Sequence, residues 1–261
     1  MKKIISWVIR HIPRKYLQLI SPLALRILAV FYRGNRVECP ICESRFAKFL
    51  PYGRGKSARP NALCPRCQSL ERHRLIWLYL KDKTDFFTRK QHFLHIAPEN
   101  CFMERFEKMP QLEYITADLE SPLAKVKMDI HEMPFEDNTF DAAMCNHVLE
   151  HVHDDIQAMR EIHRVLKPGG WAILQVPMMK AGLKVTYEDK AITEAAERFK
   201  AFGQEDHVRM YGEDYGKRLL LGGFEVSEDR YVLDLDQALV ARYALPGKEI
   251  VYFCRKKDTK T

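Results

Sequence analysis

Residues 128–177 read MDIHEMPFEDNTFDAAMCNHVLEHVHDDIQAMREIHRVLKPGGWAILQVP. Two short apolar runs in this stretch, FDAAMCN and WAILQVP, are typical of buried strands and flank DDIQAMREIHRVLK, where apolar residues recur at helical spacing. Three similar runs lie outside it: FLHIA from Phe93, EYITADL from Glu113 and EIVYFCR from Glu249. Strands that alternate with helices predict a mostly parallel sheet that is covered on both faces.

The segment HVLEH, residues 147–151, has the His-x-x-Glu-His spacing of one class of zinc protease. On a helix, His147 and His151 would lie one turn apart and Glu150 would act as the base. A protease site also needs a third zinc ligand from a distant element, and the sequence gives no clear signal of one. The surrounding residues favour another interpretation.

The whole stretch resembles the class I S-adenosylmethionine-dependent methyltransferases, particularly the large bacterial type 11 group. That group has an Asp-x-x-x-Met-Pro-Phe segment, a Ser/Thr-Phe-Asp triplet before its fourth strand, and Leu-Lys-Pro-Gly-Gly before its fifth. The matching segments are Asp129–Phe135, Thr139–Asp141 and Leu166–Gly170. The resemblance runs from about residue 91 to 178, and more loosely to 256. It implies an α/β, doubly wound, Rossmann-like sheet of seven strands, with HVLEH beginning the helix after strand four.

In an open parallel sheet the ligand lies beyond the carboxyl ends of the strands, where the strand order reverses. Asp118 ends the second strand, 21 residues after Ala97, and an acid at about this distance can bind the ribose of an adenosine cofactor. An ordinary loop acid is the alternative. The resemblance implies the other positions expected at S-adenosylmethionine: Ala97, Pro98, Glu99, Asp129, Ile130, Asn146 and His147.

Two features depart from the family pattern. Ala97-Pro98-Glu99-Asn100-Cys101 replaces a Gly-x-Gly-x-Gly loop, and glycine allows a closer backbone approach than Ala or Pro. A catalytically inactive methyltransferase-like protein that binds nucleic acid or a membrane surface is therefore the alternative function. Only 10 residues separate Asp118 from Asp129, which is short for a helical crossover, so the second helix should be absent or reduced to one turn.

The segment GQEDHVRMYG, from Gly203, is polar and falls where this fold inserts acceptor-binding elements. The substrate-binding candidates are Asp206, His207, Arg209 and Tyr211, with a solvated connector as the alternative. His147 and His207 are the candidate catalytic bases for a hydroxyl or ring-nitrogen acceptor. The acceptor is undetermined, and RNA, a saccharide and other small molecules all remain open.

The cysteines Cys39, Cys42, Cys64 and Cys67 form the pattern Cys-x2-Cys-x21-Cys-x2-Cys. Two thiolate pairs from tight turns suit a structural, tetrahedral zinc ion with no open position. We therefore predict a zinc-ribbon-like module over residues 36–70. A helical segment (1–35) precedes it, and a connecting helix (71–90) and the methyltransferase domain (91–256) follow.

The net charge of +7 is unevenly distributed. Residues 1–90 hold 20 Lys and Arg against 5 Asp and Glu, whereas residues 91–261 hold 22 against 30. A basic front half predicts an anionic partner, either RNA or an anionic membrane surface. The odd number of cysteines, seven, does not resemble a secreted disulfide framework, so we expect a cytoplasmic protein, peripheral at the membrane if residues 1–35 attach there.

Overall fold

The computed structural model describes residue 25 and residues 27–53, 58–177 and 182–258. These residues divide into two compact units. The sheet unit comprises Thr88–Pro98, Pro110–Arg230 and the residues from Glu249 onward. The cysteine unit comprises the described residues before Thr88 together with Glu99–Met109 and Tyr231–Lys248. The two units therefore divide the chain differently from the predicted segments, because two later stretches fold with the cysteines.

The elements follow one another along the chain as β1 (Arg33–Glu38), β2 (Arg45–Phe46), β3 (Leu50–Tyr52), β4 (Arg59–Leu63), α1 (Glu71–Lys83), β5 (Gln91–Ile96), α2 (Asn100–Phe106), β6 (Leu112–Asp118), β7 (Val126–Lys127), β8 (Phe140–Asn146), α3 (Asp155–Val165), β9 (Leu166–Gln175), β10 (Tyr187–Glu188), α4 (Ala195–Phe202), β11 (Arg209–Met210), α5 (Tyr215–Leu221), β12 (Glu225–Asp229), a 3-10 turn (Tyr231–Leu233), α6 (Gln237–Tyr243) and β13 (Val251–Arg255).

The sheet unit is built on seven strands in the order β12-β13-β9-β8-β5-β6-β7. The strands from β9 to β7 are parallel, and β13 runs antiparallel to both β9 and β12. After β5, strand β6 pairs with one edge of β5 and β7 pairs with β6. Strand β8 then pairs with the other edge of β5. The strand order therefore reverses between β5 and β8, where such sheets bind ligands.

The predicted fold is confirmed. The five predicted strands correspond to β5, β6, β8, β9 and β13, and β7 and β12 bring the number in the sheet to seven. Residues 119–125 are all described and contain only bends and turns, so the second crossover helix is absent, as expected. The central strand β5 is almost wholly buried, which is typical of a parallel strand covered on both faces.

Local chemistry sets the position of α3 and the turn into β9. The side chain of Asp154 caps α3 by accepting a hydrogen bond from the Gln157 N–H at 2.9 Å. After the helix, Gly169 has a φ of 74°, and a Cβ on Gly170 would lie 2.8 Å from the Lys167 carbonyl oxygen. The two glycines are thus required by the backbone at the start of β9.

The cysteine unit contains two small antiparallel sheets, β1 with β2 and β3 with β4. Its aromatic core includes Trp77, which stacks on Phe106 with ring centroids 6.0 Å apart. Residues 27–31 are helical, in line with the predicted N-terminal helical segment. Of the rest of that prediction, residues 1–24 and 26 lie outside the described residues, and residues 33–35 are not helical because they begin strand β1. Among the described residues, every helix is too short or too polar to span a lipid bilayer.

Candidate active site

The two strands at the reversal of strand order end in the same way. Ala97, directly after β5, has a φ of 51°, and His147, directly after β8, has a φ of 56°. Each N–H still completes the sheet, since Ala97 donates to the Ala117 carbonyl at 2.9 Å and His147 to the Gln175 carbonyl at 2.8 Å. Non-glycine residues rarely adopt this left-handed conformation, and they occur preferentially at functional sites.

The prediction that HVLEH begins a helix is wrong. Residues 147–153 form bends and turns, and α3 begins only at Asp155. The left-handed backbone of His147 is incompatible with the first turn of a right-handed helix. The His147 and Glu150 side chains still meet, with His147 Nδ1 3.4 Å from Glu150 Oε1.

The predicted cofactor residues of the sheet unit lie at or just after the ends of four of its parallel strands, β5 to β8. Asp118 Oδ1 accepts hydrogen bonds from the N–H groups of Glu120 and Ser121, at 2.8 and 2.6 Å, so it stabilises the turn after β6. Asp129 is exposed and bonds to His131, whose main-chain N–H lowers the pKa of the carboxyl group. Two further predicted cofactor residues, Ile130 and Asn146, are buried.

The loop after β5 passes from one unit into the other. Pro98 is the last residue of this part of the sheet unit, and it is buried. Glu99 belongs to the cysteine unit, where its carboxylate lies 3.4 Å from His73 Nε2. The predicted pairing of Glu99 with the cofactor would therefore compete with His73.

Arg209 and Tyr211, which were predicted to bind a substrate, are buried and contact the protein's own main chain. Arg209 is 2% exposed and donates through Nη1 to the carbonyls of Leu149 and Val152, at 2.6 Å each. The Tyr211 hydroxyl lies 3.0 Å from the Leu149 carbonyl oxygen and shares its one hydrogen between this oxygen and a carboxylate of α3. Because their polar groups bond to the turn after β8, these two side chains position that turn.

A buried carboxylate that sequence reasoning missed supports the same turn. Asp155 accepts from Arg218 at 2.6 Å and from Tyr211 at 2.9 Å, and it is 1% exposed. Burial by itself would raise the pKa of Asp155, but the Arg218 hydrogen bond and the charge of Arg209 outweigh it and lower the pKa. Arg218 lies 63 residues away along the chain, so no local pattern could have shown this pairing.

The other two residues of the predicted acceptor segment lie close to the turn after β8. Asp206 is exposed, and His207 is 5% exposed with its ring centroid 4.7 Å from that of His151. Burial lowers the pKa of His207, which favours the neutral imidazole needed for a base or a metal ligand. Of the four predicted acceptor residues, these two remain candidates.

The four predicted metal ligands in the cysteine unit are all buried and come together. The Sγ atoms of Cys39 and Cys67 lie 3.6 Å apart, and those of Cys42 and Cys64 lie 3.7 Å apart. Sulfur atoms around a tetrahedral zinc ion, each about 2.3 Å from the metal, are separated by about 3.8 Å. The cluster therefore has the dimensions of a four-thiolate zinc site and is far too wide for disulfides.

The two cysteine pairs lie in turns of matching geometry. Glu43 donates its N–H to the Cys39 carbonyl, and Gln68 donates to the Cys64 carbonyl in the same way. Both donors have a left-handed backbone, with φ of 58° and 65°. The Ser69 hydroxyl also lies 3.2 Å from Cys39 Sγ, where it can donate to a thiolate.

The basic residues near the cysteines are divided between the surface and the interior. Arg33, Arg36 and Lys48 are exposed. Arg74 is fully buried and donates to four main-chain carbonyls, so it does not belong to a basic surface. Its guanidinium lies 4.4 Å from the ring centroid of Phe49, which is also buried.

Part of the sheet unit is similar to known proteins. A family model described as a methyltransferase domain matches residues 96–174. An uncharacterized 37.1 kDa protein in a transposon of Streptomyces fradiae is 38% identical over 30% of this chain and 22% of its own length. The 2-phytyl-1,4-naphtoquinone methyltransferase of Nostoc punctiforme is 44% identical over 20% of this chain and 23% of that protein. The chain thus spans about a quarter of the length of the curated relatives that it matches.

A crystal structure of the cyclase SpnF resembles this chain in fold, with a TM-score of 0.51 and 16% identity over 93% of this chain and 95% of that one. The matched residues run from the end of β5 through β8, the two strands between which the strand order reverses. Residues 96–174 therefore match a methyltransferase domain, and they lie in a sheet with the Rossmann-like fold of methyltransferases.

Proposed function

We propose that this protein transfers a methyl group from S-adenosylmethionine to an acceptor. The observation that carries the proposal is the pair of left-handed residues, Ala97 and His147, at the two strand ends where the strand order reverses and where such sheets bind ligands. When bound, S-adenosylmethionine supplies an electrophilic methyl group on a sulfonium. The protein contributes alignment, which can lower the barrier by about 7–11 kcal/mol in well-oriented reactions.

The residues after β5 fit this cofactor although the usual glycines are missing. Ala97 already has the backbone conformation for which glycine is normally used, so the chain can turn at this point without one. Asp118 would hold the ribose hydroxyls, and the Asp129–Ile130 pair would lie at the adenine. His147 would be the base closest to the methyl group, with Glu150 beside it.

In the cysteine unit we propose a structural zinc ion held by Cys39, Cys42, Cys64 and Cys67. Four buried thiols within 4.8 Å of one another support this assignment. With all four positions filled by protein, such an ion stabilises the fold and takes no part in the reaction. We further propose that the exposed basic residues of this unit, such as Arg36 and Lys48, contact an anionic partner, with RNA as the first candidate and an anionic membrane as the second.

Cofactor binding by the purified full chain tests the methyltransferase proposal. Calorimetry should show one S-adenosylmethionine site per chain, and S-adenosylhomocysteine should compete for it. Failure of the wild-type protein to bind either compound would favour the catalytically inactive alternative. The acceptor is then sought by incubating the loaded protein with candidate RNA, saccharide and quinone fractions and measuring the transfer of labelled methyl groups. Quinones belong in that set because the relatives from Nostoc punctiforme and Staphylococcus epidermidis bear quinone-methyltransferase names.

A further inference from the structure

Three potential metal ligands from two distant parts of the chain meet beyond the end of β8. One ligand atom each from Glu150, His151 and His207 lies within 4.8 Å of the other two. The main chain fixes the two segments side by side, because the Val208 N–H donates to the Glu150 carbonyl at 2.9 Å. Glu150 is 1% exposed and His207 is 5% exposed.

Two polar atoms of this triad have no hydrogen-bond partner among the described residues. They are Oε2 of Glu150 and Nε2 of His207. Burying an unsatisfied polar atom costs about 1–3 kcal/mol, and more if the group is charged. Since a carboxylate oxygen and an unprotonated imidazole nitrogen both present lone pairs, one cation can satisfy both atoms.

The second nitrogen of each imidazole is held by the protein. Nδ1 of His151 lies 3.1 Å from the Asp206 carbonyl oxygen, which places the proton on Nδ1 and leaves Nε2 as an acceptor, 3.8 Å from Glu150 Oε1. The ring of His207 bonds to the main chain of Phe202, so its Nε2 is likewise the available atom. Histidines that bind metals are typically oriented by such outer hydrogen bonds.

We propose that Glu150, His151 and His207 bind a divalent transition-metal ion, separate from the four-cysteine site. Two imidazoles and one carboxylate suit manganese, iron, cobalt or zinc better than magnesium or calcium. Ligand atoms around one such ion lie roughly 3 Å apart, so binding should draw these side chains closer together. Three protein ligands leave at least one position open for another molecule.

The use of that open position rests on the proposed methyl transfer. Because His147 Nδ1 lies 3.4 Å from Glu150 Oε1, the triad adjoins the strand end where we expect the methyl group. An ion there would bind an acceptor hydroxyl and lower its pKa, so that its proton passes to solvent. The oxygen then forms a bond to the methyl carbon as the carbon–sulfur bond breaks, leaving its electron pair on sulfur. The acceptor would therefore be a hydroxyl compound.

Manganese(II) is the probe for this site because thiolate ligands disfavour it. When the full, zinc-loaded chain is titrated, the free Mn²⁺ signal in electron paramagnetic resonance should fall by one equivalent per chain. Glu150→Gln and His207→Gln should each weaken binding by more than about tenfold. His163→Gln is the matched control, because that ring packs on Phe224 and is not part of the triad. Thermal melts verify that each variant is folded.

Two outcomes overturn the site: wild-type protein that takes up no Mn²⁺, or folded Glu150 and His207 variants that bind it as wild type does. Water-proton relaxation tests the open position, since a bound ion that retains exchangeable water enhances the relaxation rate. A bound ion without such water would refute the acceptor role. Failure of the proposed function is distinguishable, because the chain would then bind Mn²⁺ but not S-adenosylmethionine.

Discussion

Ala97 and His147 end the adjacent strands β5 and β8 in the same left-handed conformation, with φ of 51° and 56°. Each residue first completes a sheet hydrogen bond and then turns the chain. Two residues in a strained conformation thus lie on either side of the point where the strand order reverses. The left-handed conformation, which glycine adopts freely, costs each of them roughly 1–2 kcal/mol.

Replacing Ala97 with glycine should stabilise the protein. Removing the Cβ relieves the left-handed conformation, and we expect Ala97→Gly to raise the free energy of unfolding by roughly 0.5–1 kcal/mol. Urea denaturation measures this change. The control is Ala143→Gly in the middle of β8, which should lose about 1 kcal/mol. Equal losses in both variants would show that Ala97 is not strained.

Asp118→Asn separates the two roles of this carboxylate. An asparagine oxygen can still accept the N–H groups of Glu120 and Ser121, but the negative charge is lost. We expect S-adenosylmethionine to bind about 1–3 kcal/mol more weakly, with little change in thermal stability. Glu120→Gln, an exposed neighbour, should bind as the wild type does. Unchanged affinity in Asp118→Asn would remove Asp118 from the ribose site.

Metal analysis should find one zinc ion per chain in the cysteine unit. Cys64→Ser removes one of four ligands and should abolish stoichiometric zinc, because a structural site of this kind tolerates no missing thiolate. Cys254→Ala serves as the control, since that thiol is buried in β13 and lies outside the four-cysteine cluster. Full zinc content in the Cys64 variant would place the metal elsewhere.

Asp155 should stabilise the protein in a pH-dependent way. Its pKa is lowered in the folded state, so its contribution is present above the unfolded pKa of about 3.9 and is lost as the pH falls through the folded value. We expect Asp155→Asn to cost about 3 kcal/mol at pH 7, because Arg209 and Arg218 lose their buried counterion and keep only the more exposed Glu188. The difference from wild type, measured by urea denaturation, should shrink below about pH 4. A difference that stays constant with pH would rule out this ionic contribution.

The exposed basic residues should bind RNA with a strong dependence on salt. Neutralising five to ten phosphates predicts a slope of about −4 to −8 in a plot of log affinity against log salt concentration. Arg36→Glu combined with Lys48→Glu should weaken binding in fluorescence anisotropy, whereas Lys127→Glu, exposed in the sheet unit, should not. Binding to anionic vesicles in place of RNA would favour the membrane alternative.

The sheet could be predicted from the sequence because its signals are local. Buried strands such as β5, and the glycines required after α3, need no knowledge of distant residues. By contrast, β7 has two residues and β12 is a mostly exposed edge strand, so neither has the apolar run that marks a strand. Their positions depend on pairing with β6 and β13.

The arrangement around HVLEH could not be predicted, because residues far along the chain determine it. The helical spacing of His147 and His151 is overridden by Arg209 and Tyr211, which bond to the carbonyls of this turn from about 60 residues away. His207 and Glu150 are likewise distant in the sequence but adjacent in the fold. Sequence reasoning named these residues as candidates, but it could not show that Arg209 and Tyr211 contact the carbonyls of the turn after β8.

The contacts of Arg74 have a consequence for how the protein is made. Its buried guanidinium donates to the carbonyls of Tyr243 and Ala244. These two residues are synthesised about 170 residues after Arg74. Until that segment is synthesised, the arginine beside the four cysteines lacks two of its acceptors, at a cost of several kcal/mol for a buried charge. The cysteine unit should therefore be completed only late in synthesis, although most of its chain is translated first, and its thiols should stay accessible to oxidants and metals in the meantime.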